Sequence, residues 1–273
     1  MKKLTAILLT LVLAFALVSC GSQTSGGNTS SETVVLKVGA SPSPHAEILE
    51  VVKDDLAAQG IDLQIVEFDD YVLPNTSTED GSLDANYFQH TPYLEDFNAT
   101  RGTHLVSVAV IHYEPLGIYT GKSNSLDVAD GAVIGVPNDA TNEARALLLL
   151  EASGLLTLDP NAGLNATVLD ITSNPKNLKI EEIEAAQLTA HLEDLDLAVI
   201  NGNYAVQAGL SAKDALAFED KDSEAANIYG NVLVVKEGNE NNPAVLALAD
   251  ALRTDKVRKF IEDNYAGVVV PKF

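Results

Sequence analysis

Residues 83–94, LDANYFQHTPYL, gather the kinds of side chain that line ligand pockets. The chain has only eight Tyr and seven Phe and no Trp, yet three of these rings lie here around His90, with Asn86 and Gln89 beside them. A core strand does not need the amides, and a surface loop does not need the rings. A pocket for a ligand that is partly apolar and partly polar needs both.

Polar side chains also follow three apolar runs that have the character of strands. FDDYVLPN follows a run that ends near Phe68, PNDATNEAR follows residues 133–136, and NGNYA follows residues 197–200. In open α/β sheets, ligands bind just beyond the carboxyl ends of the strands. Each Asn in such a turn could serve turn geometry alone, but the set together favours a binding site. The side chains placed at this mouth are Tyr71, Asn142, Arg145, Asn201 and Asn203.

Arg145 falls in the first turn of a helix that is predicted to start near Thr141. A cation is mildly unfavourable there, because the N-terminus of a helix is already positive. A guanidinium beside free backbone N–H groups is, however, a good seat for a ligand carboxylate. The alternative is a surface arginine paired with Glu143 or Glu151.

Amide side chains suit the other charged end of such a ligand. Asn201, Asn203 and Asn231 can hold an ammonium group without burying an unpaired anion. One set of side chains that can bind a carboxylate and another that can bind an ammonium together predict that the ligand is a zwitterion.

The aromatic side chains suit an apolar tail. Tyr71, Phe88 and Tyr93 can surround an apolar or thioether chain, since sulfur packs well against ring edges. His90 is either a polar member of this wall or a structural histidine. An amino acid with an apolar side chain fits the whole set.

The N-terminal residues 1–20, MKKLTAILLTLVLAFALVSC, have the layout of a secretory signal, with two lysines and an apolar run that is short for a membrane span. The ending LVSC resembles the lipobox of bacterial lipoproteins. Cys20 is the only cysteine, which excludes a disulfide. We expect a signal peptide over residues 1–19, a lipid on Cys20 and a flexible tether over residues 20–33, so that the protein is anchored at the extracytoplasmic face of the cell membrane. The alternative is a plain signal peptide with an incidental Cys.

The net charge argues against two classes of partner. It is −22 for the full chain, and cleavage after residue 19 would remove Lys2 and Lys3 and no acidic residue, which gives −24. So acidic a protein is a poor binder of nucleic acid and does not adhere directly to anionic lipid headgroups.

The secondary-structure elements that must position these side chains are predicted to form an α/β fold, because short apolar runs alternate along the sequence with helical patterns. Two sets of βα units are joined near residues 112–115, and the C-terminal segment could pack back on the first set. We therefore predict two lobes with a ligand cleft between them. Lobe 1 comprises residues 34–113 plus 229–273, and lobe 2 comprises residues 114–228.

Six ordered motifs resemble one known family. FDDYVLPN, LDANYFQHTPYL, HYEPLGIYT, VPNDATNEARALLLLEASGLL, DLAVINGNYAVQAGL and YAGVVVPKF look like the methionine-binding lipoproteins of bacterial ABC importers, in order from about Val34 to Phe273. The resemblance implies a two-lobed periplasmic-binding-protein fold, type II-like, that closes on L-methionine or a close relative. It also implies delivery to a permease with ATP-hydrolysing subunits. Carried over residue by residue, it assigns ligand contacts to Tyr71, Phe88, His90, Tyr93, Asn142, Arg145, Asn203 and Asn231.

Two departures from the family pattern are visible. Leu116 stands where a Met is common, which is a conservative change in a packed strand. Gly230 precedes Asn231 and could widen the pocket, which leaves free methionine, its D-form and a methionine-containing dipeptide open as ligands.

Other functional classes have little support in the sequence. There is no nucleophile elbow, no metal-ligating His pair at helical spacing and no P-loop, so we expect neither an enzyme nor a cofactor. A metal-binding lipoprotein stays as the lesser alternative, because the five histidines could meet carboxylates in space. These are His45, His90, His104, His112 and His191.

Overall fold

The computed structural model describes residues 33–220, 224–265 and 267–273. The predicted signal peptide, Cys20 and all but the last residue of the predicted tether lie outside the described residues. No helix among the described residues is long and apolar enough to cross a membrane.

The described residues form two main sheets and a small one. The strands are β1 (Val34–Ala40), β2 (Ile61–Glu67), β3 (Ala85–His90), β4 (Leu105–Tyr113), β5 (Gly117–Thr120), β6 (Val133–Pro137), β7 (Thr157–Leu158), β8 (Ile171–Ser173), β9 (Lys179–Ile183), β10 (Leu197–Ile200), β11 (Ala215–Phe218), β12 (Gly230–Lys236) and β13 (Val270–Pro271). The first sheet has the order β13-β4-β12-β3-β1-β2, and the second has the order β11-β5-β10-β6-β9. Strands β7 and β8 pair with each other.

Helices cover these sheets. They are α1 (Glu47–Ala57), α2 (Leu73–Glu79), α3 (Thr91–Arg101), α4 (Ala140–Ala152), α5 (Gly202–Gln207), α6 (Glu224–Ile228), α7 (Pro243–Leu252) and α8 (Asp255–Tyr265). Helix α1 packs against α7 and α8, and the first sheet shares one core with them in which Val38, Ile48 and Leu248 are fully buried. Helix α4 packs on β6, where Ile134 and Leu147 belong to a separate core. Each main sheet thus has its own hydrophobic centre.

The chain passes between the sheets at two connections. The first, residues 114–116, leads from β4 into β5, and the second, residues 219–229, leads from β11 into β12. The predicted lobe limits at 113/114 and 228/229 fall at these connections and stay a prediction. Residues from the two sheets can face each other across the space between the connections.

Local sequence signals fix the two helices that present the predicted site. Helix α3 begins after β3 with His90 as its N-cap and Pro92 in its first turn, and it ends at Gly102, which adopts a left-handed conformation. Helix α4 begins after Asp139, whose carboxylate accepts a hydrogen bond from the backbone N–H of Asn142. These caps place His90 and Asn142 at helix starts that face one pocket.

Candidate functional site

One pocket brings together all eight residues to which the sequence assigns ligand contacts. Its walls come from both sheets, and it encloses about 330 Å³ counted with its open mouth. Four further residues, which are not among those eight, also line it. The full set is Tyr71, Phe88, Gln89, His90, Tyr93, Glu114, Asn142, Arg145, Asn201, Gly202, Asn203 and Asn231.

The aromatic side chains form one wall of the pocket. The ring of Tyr71 lies 5.8 Å from Phe88 and 5.7 Å from Tyr93, measured between centroids, and 5.1 Å from Tyr204. The Tyr93 hydroxyl donates to the backbone carbonyl of Tyr71 at 3.1 Å. Phe88 and Tyr93 are buried. The ring edges and faces leave an apolar, polarisable surface toward the pocket.

His90 is held in one neutral form. Its Nδ1 accepts a hydrogen bond from the backbone N–H of Tyr93 at 3.1 Å, so Nε2 carries the proton and donates to Oδ1 of Asn142 at 3.1 Å. Burial, followed by the charge of Arg145, lowers the pKa of His90 to about 3. His90 is therefore both a helix cap and an uncharged part of the pocket wall.

Arg145 is buried and ion-paired rather than exposed. Its Nε donates to Oε1 of Glu219 at 2.7 Å, and Nη2 donates to Oε2 of Glu219 and to the backbone carbonyl of Glu114. The guanidinium carbon lies 4.4 Å from the ring centroid of Tyr229. The alternative of a surface arginine paired with Glu143 or Glu151 is wrong, because only 3% of the residue is exposed and its partner is Glu219.

Two amides in the pocket carry unpaired polar atoms. Asn201 donates through Nδ2 to Asn142 at 2.9 Å, and Asn203 accepts through Oδ1 from the Tyr71 hydroxyl at 2.6 Å. Both residues are buried. Their other amide atoms, Oδ1 of Asn201 and Nδ2 of Asn203, have no hydrogen-bond partner within the described parts of the chain. A buried, unpaired acceptor and donor in one pocket indicate a polar ligand that pairs with both.

Glu114 lines the pocket, although the sequence predicts no ligand contact for it. It lies in the connection from β4 to β5, within residues 112–115, where the two sets of βα units are predicted to join. Its Oε1 lies 2.7 Å from Nε2 of His112 and 3.3 Å from Nε2 of His45. Burial raises the pKa of Glu114 and lowers the pKa of His45 to about 4 and that of His112 to about 3.

The same three residues are the group of candidate metal ligands in the described part of the chain. Their nearest ligand atoms lie within 4.8 Å of one another. Nε2 of His45 is also engaged by Oδ1 of Asn231 at 3.0 Å, and Nδ1 of His112 is engaged by the Tyr87 hydroxyl. Nε2 of His45 thus has a second hydrogen-bond partner besides the carboxylate, whereas Nε2 of His112 faces the carboxylate and only its Nδ1 is used elsewhere.

The fold and the site define a class of protein, the two-lobed substrate-binding proteins of ABC transporters. A nutrient-binding protein from Burkholderia cenocepacia, solved bound to methionine, superimposes with a TM-score of 0.83 at 43% sequence identity, over 87% of this chain and 100% of that one. The methionine-binding protein MetQ, also solved, superimposes with a TM-score of 0.84 at 40% identity, over 88% of this chain and 98% of that one.

Residues 36–273 match the family model of the NlpA lipoproteins, and the chain belongs to this family. The D-methionine-binding lipoprotein MetQ of Escherichia coli strain K12 is 42% identical, with 95% of this chain and 94% of that protein covered. The fold class and the resemblance predicted from the motifs are therefore confirmed. The family's role is substrate binding for transport, which is not an enzymatic role.

Proposed function

We propose that this protein captures L-methionine, or a close relative, and delivers it to an ABC importer while a lipid on Cys20 holds it at the membrane. One observation carries the proposal. A single pocket has aromatic rings at one side and, at the other, Arg145, Glu114 and two amides with unpaired buried atoms. Such a pocket is complementary to a zwitterion with an apolar tail. The name of a relative, a D-methionine-binding lipoprotein, and the methionine bound in a related structure support methionine as the ligand.

The polar side of the pocket would hold the two charged groups of the ligand. The pairing with Glu219 and the carbonyl of Glu114 uses Nε and Nη2 of Arg145, so the ligand carboxylate would meet Nη1. Nδ2 of Asn203 would donate to the same carboxylate. Oδ1 of Asn201 would accept from the ammonium, and both unpaired atoms would then be satisfied.

The aromatic side would hold the thioether chain. Burying one such chain contributes about 1.5–3 kcal/mol. A sulfur against a ring adds about 0.3–1.5 kcal/mol. Norleucine has the shape without the sulfur and should bind more weakly by a modest factor. Alanine leaves the apolar part unfilled, and glutamate brings a second carboxylate to a wall without a partner for it.

A titration of ligand-free protein with these four amino acids tests the proposal. The protein is unfolded, dialysed and refolded to remove any bound ligand, and binding is measured by calorimetry. We expect the order methionine, norleucine, then alanine and glutamate with scarcely detectable binding. Glutamate binding as tightly as methionine would contradict the proposal. Mass spectrometry of the ligand released from freshly purified protein separates L-methionine from a dipeptide, and chiral analysis separates it from the D-form.

A methionine-containing dipeptide is the second candidate. A further, open chamber of about 830 Å³, counted with its mouth in the same way, adjoins the pocket, and Tyr71 and Tyr93 line both. A longer ligand could extend into it. A dipeptide that binds more tightly than free methionine in the same titration would favour this candidate.

A further inference from the structure

Helix α5 follows β10 of the second sheet, yet one face of it contacts loops that follow strands of the first sheet. The Tyr204 hydroxyl donates to the backbone carbonyl of Asp69, after β2, at 3.0 Å. Nε2 of Gln207 donates to the backbone carbonyl of Ser43, after β1, at 3.3 Å. Tyr204 and Gln207 share one face of the helix because they lie about one turn apart. Their two bonds join the sides of the cleft, and neither residue lines the ligand pocket.

Tyr204 also packs against Tyr71, which does line the pocket. The two rings lie 5.1 Å apart between centroids, with an angle of 34° between their planes. The Tyr71 hydroxyl donates to Oδ1 of Asn203, the neighbour of Tyr204 in α5. Tyr204 itself is buried in the core that surrounds β10, so its ring is held firmly on the side of the second sheet. Tyr204 therefore fixes the position of a pocket residue that comes from the opposite side of the cleft.

The side chains that would contact a ligand are almost inaccessible while these contacts are made. Phe88, from the first sheet, and Arg145 and Asn203, from the side of the second, are each at most 3% exposed. A ligand reaches all three when the two sides of the cleft separate, and this separation breaks the bonds of Tyr204 and Gln207 across the cleft. The contacts of α5 with the first sheet therefore stabilise the closed arrangement and contribute nothing to an open one.

We propose that Tyr204 is a positioning residue that stabilises the closed arrangement from outside the pocket and thereby slows the release of the ligand. The inference rests on the proposed function and adds to it a residue that sets the affinity without touching the ligand. Apparent affinity falls in proportion to the population of the binding-competent state, so weakening the closed arrangement weakens binding. The ligand enters and leaves through the open arrangement. Loss of the Tyr204 contacts should therefore raise the dissociation rate and leave the association rate nearly unchanged.

The test measures both rates with radiolabelled methionine, by rapid mixing for association and by a chase with unlabelled methionine for dissociation. The proteins are wild type, Tyr204→Phe, Tyr204→Ala and Tyr119→Phe. Tyr119 is the matched control, since it is a buried tyrosine of the same core whose ring contacts Phe218 of the second sheet and does not line the pocket. We expect Tyr204→Phe to raise the dissociation rate about 2- to 10-fold, the net effect of one neutral hydrogen bond. Tyr204→Ala also loses the ring contact and should raise it about 5- to 100-fold. Tyr119→Phe should keep the wild-type rate.

Selectivity gives a second readout, which separates a positioning residue from a ligand contact. Tyr204→Phe keeps the ring against Tyr71 and leaves the pocket lining intact. It should therefore weaken methionine and norleucine by the same factor in calorimetry. A loss confined to methionine would make Tyr204 part of the ligand contact surface and would overturn the inference.

Three kinetic results would also overturn the inference. They are unchanged dissociation in the Tyr204 variants, slower association without faster dissociation, and an equal acceleration of dissociation in Tyr119→Phe, which would show a general loosening of the core. If Tyr204→Ala fails to fold, Tyr204→Phe and its control decide the matter. A wild type that binds no methionine would reject the proposed function and this inference with it, whereas methionine binding with unchanged Tyr204 variants would reject only the role of Tyr204.

Discussion

Replacing Arg145 by Ala should damage the stability of the protein as well as its binding. The guanidinium is buried and supplies two charge-assisted hydrogen bonds to the carboxylate of Glu219. That carboxylate also accepts from the Tyr113 hydroxyl and the backbone N–H of Leu116, each at 2.8 Å. Arg145→Ala leaves these two neutral donors and removes the cation, so a carboxylate side chain that is only 10% exposed stays without its counter-ion.

The size of both effects follows from this arrangement. Removing one partner of a buried ion pair costs about 3–5 kcal/mol of folding free energy. In a chain of this size each kcal/mol lowers the melting temperature by about 2–4 °C, so ligand-free Arg145→Ala should melt about 6–20 °C below the wild type. Loss of the contact with the ligand carboxylate should weaken methionine binding by about 2–5 kcal/mol. Arg145→Lys should recover little of either, since lysine lacks the planar fork that engages Glu219.

A double variant separates the two effects. In Arg145→Ala with Glu219→Gln the buried charge is gone, while the glutamine oxygen can still accept from Tyr113 and Leu116. We expect at least about 1 kcal/mol of stability to return relative to Arg145→Ala, because replacing a buried ion pair by neutral groups removes the uncompensated charge. Methionine affinity should not return, since the guanidinium is still missing. Urea unfolding without ligand and calorimetry with methionine measure the two quantities. An unchanged unfolding midpoint for Arg145→Ala would refute the reasoning about stability, and restored affinity in the double variant would refute the role in binding.

Three further outcomes are expected. Wild-type protein should partition with membranes and Cys20→Ala should not, because several acyl chains hold a protein far more strongly than any single signal does; equal release into the soluble fraction would exclude the anchor. Phe88→Ala should weaken methionine binding by about 1–3 kcal/mol, whereas Phe97→Ala, which removes a ring of the same cluster that does not line the ligand pocket, should leave affinity nearly unchanged in calorimetry. The pKa of His90 is lowered to about 3 by burial, so the unfolded chain takes up this proton first as the pH falls below about 6.5. Folding stability should therefore decrease by about 2 kcal/mol between pH 7 and pH 5 through this one group, and urea unfolding of His90→Gln should show a loss smaller by that amount.

The parts of the site that the sequence predicts are those with local signals. Asp139 caps α4, which places Asn142 and Arg145 within the first two turns, and the buried strand β3 leads directly into α3 at His90. Strand ends and helix starts are readable from a few neighbouring residues. Ligand sites in α/β folds lie at those junctions, so local patterns indicate several of the residues that line the pocket.

Strands with weak patterns were missed for a physical reason. β9 and β11 are the two edges of the second sheet, and neither contains a fully buried residue. An edge strand needs less apolar surface and carries charges, as Lys179 and Glu182 do in β9, so its alternation is weak. The interior strand β10, with all four residues buried, was predicted without difficulty.

The positions of the two buried acidic residues, Glu219 and Glu114, could not be predicted from neighbouring residues in the sequence. Glu219 is 74 residues from Arg145, and Glu114, which follows β4, contacts His45, which follows β1 far earlier in the chain. Sequence reasoning prefers neutral amides for a buried ammonium, because it cannot see the donors that stabilise a buried carboxylate. Only the fold shows that such donors are present.

The ion pair between Arg145 and Glu219 affects both the stability of the fold and the way in which Arg145 would meet a ligand. A buried Arg145 without Glu219 would be an unpaired cation whenever no ligand is bound, and the folded state would lose stability. With Glu219 in place the guanidinium is oriented in advance, so the ligand carboxylate does not have to order it, which favours binding. The same pairing also weakens the net attraction of Arg145 for an anion. A carboxylate ligand alone would therefore be held poorly, and the proposed zwitterion would add the contacts of its ammonium group. On this reasoning the expected preference for amino acids over simple acids would come from the ammonium contacts more than from Arg145.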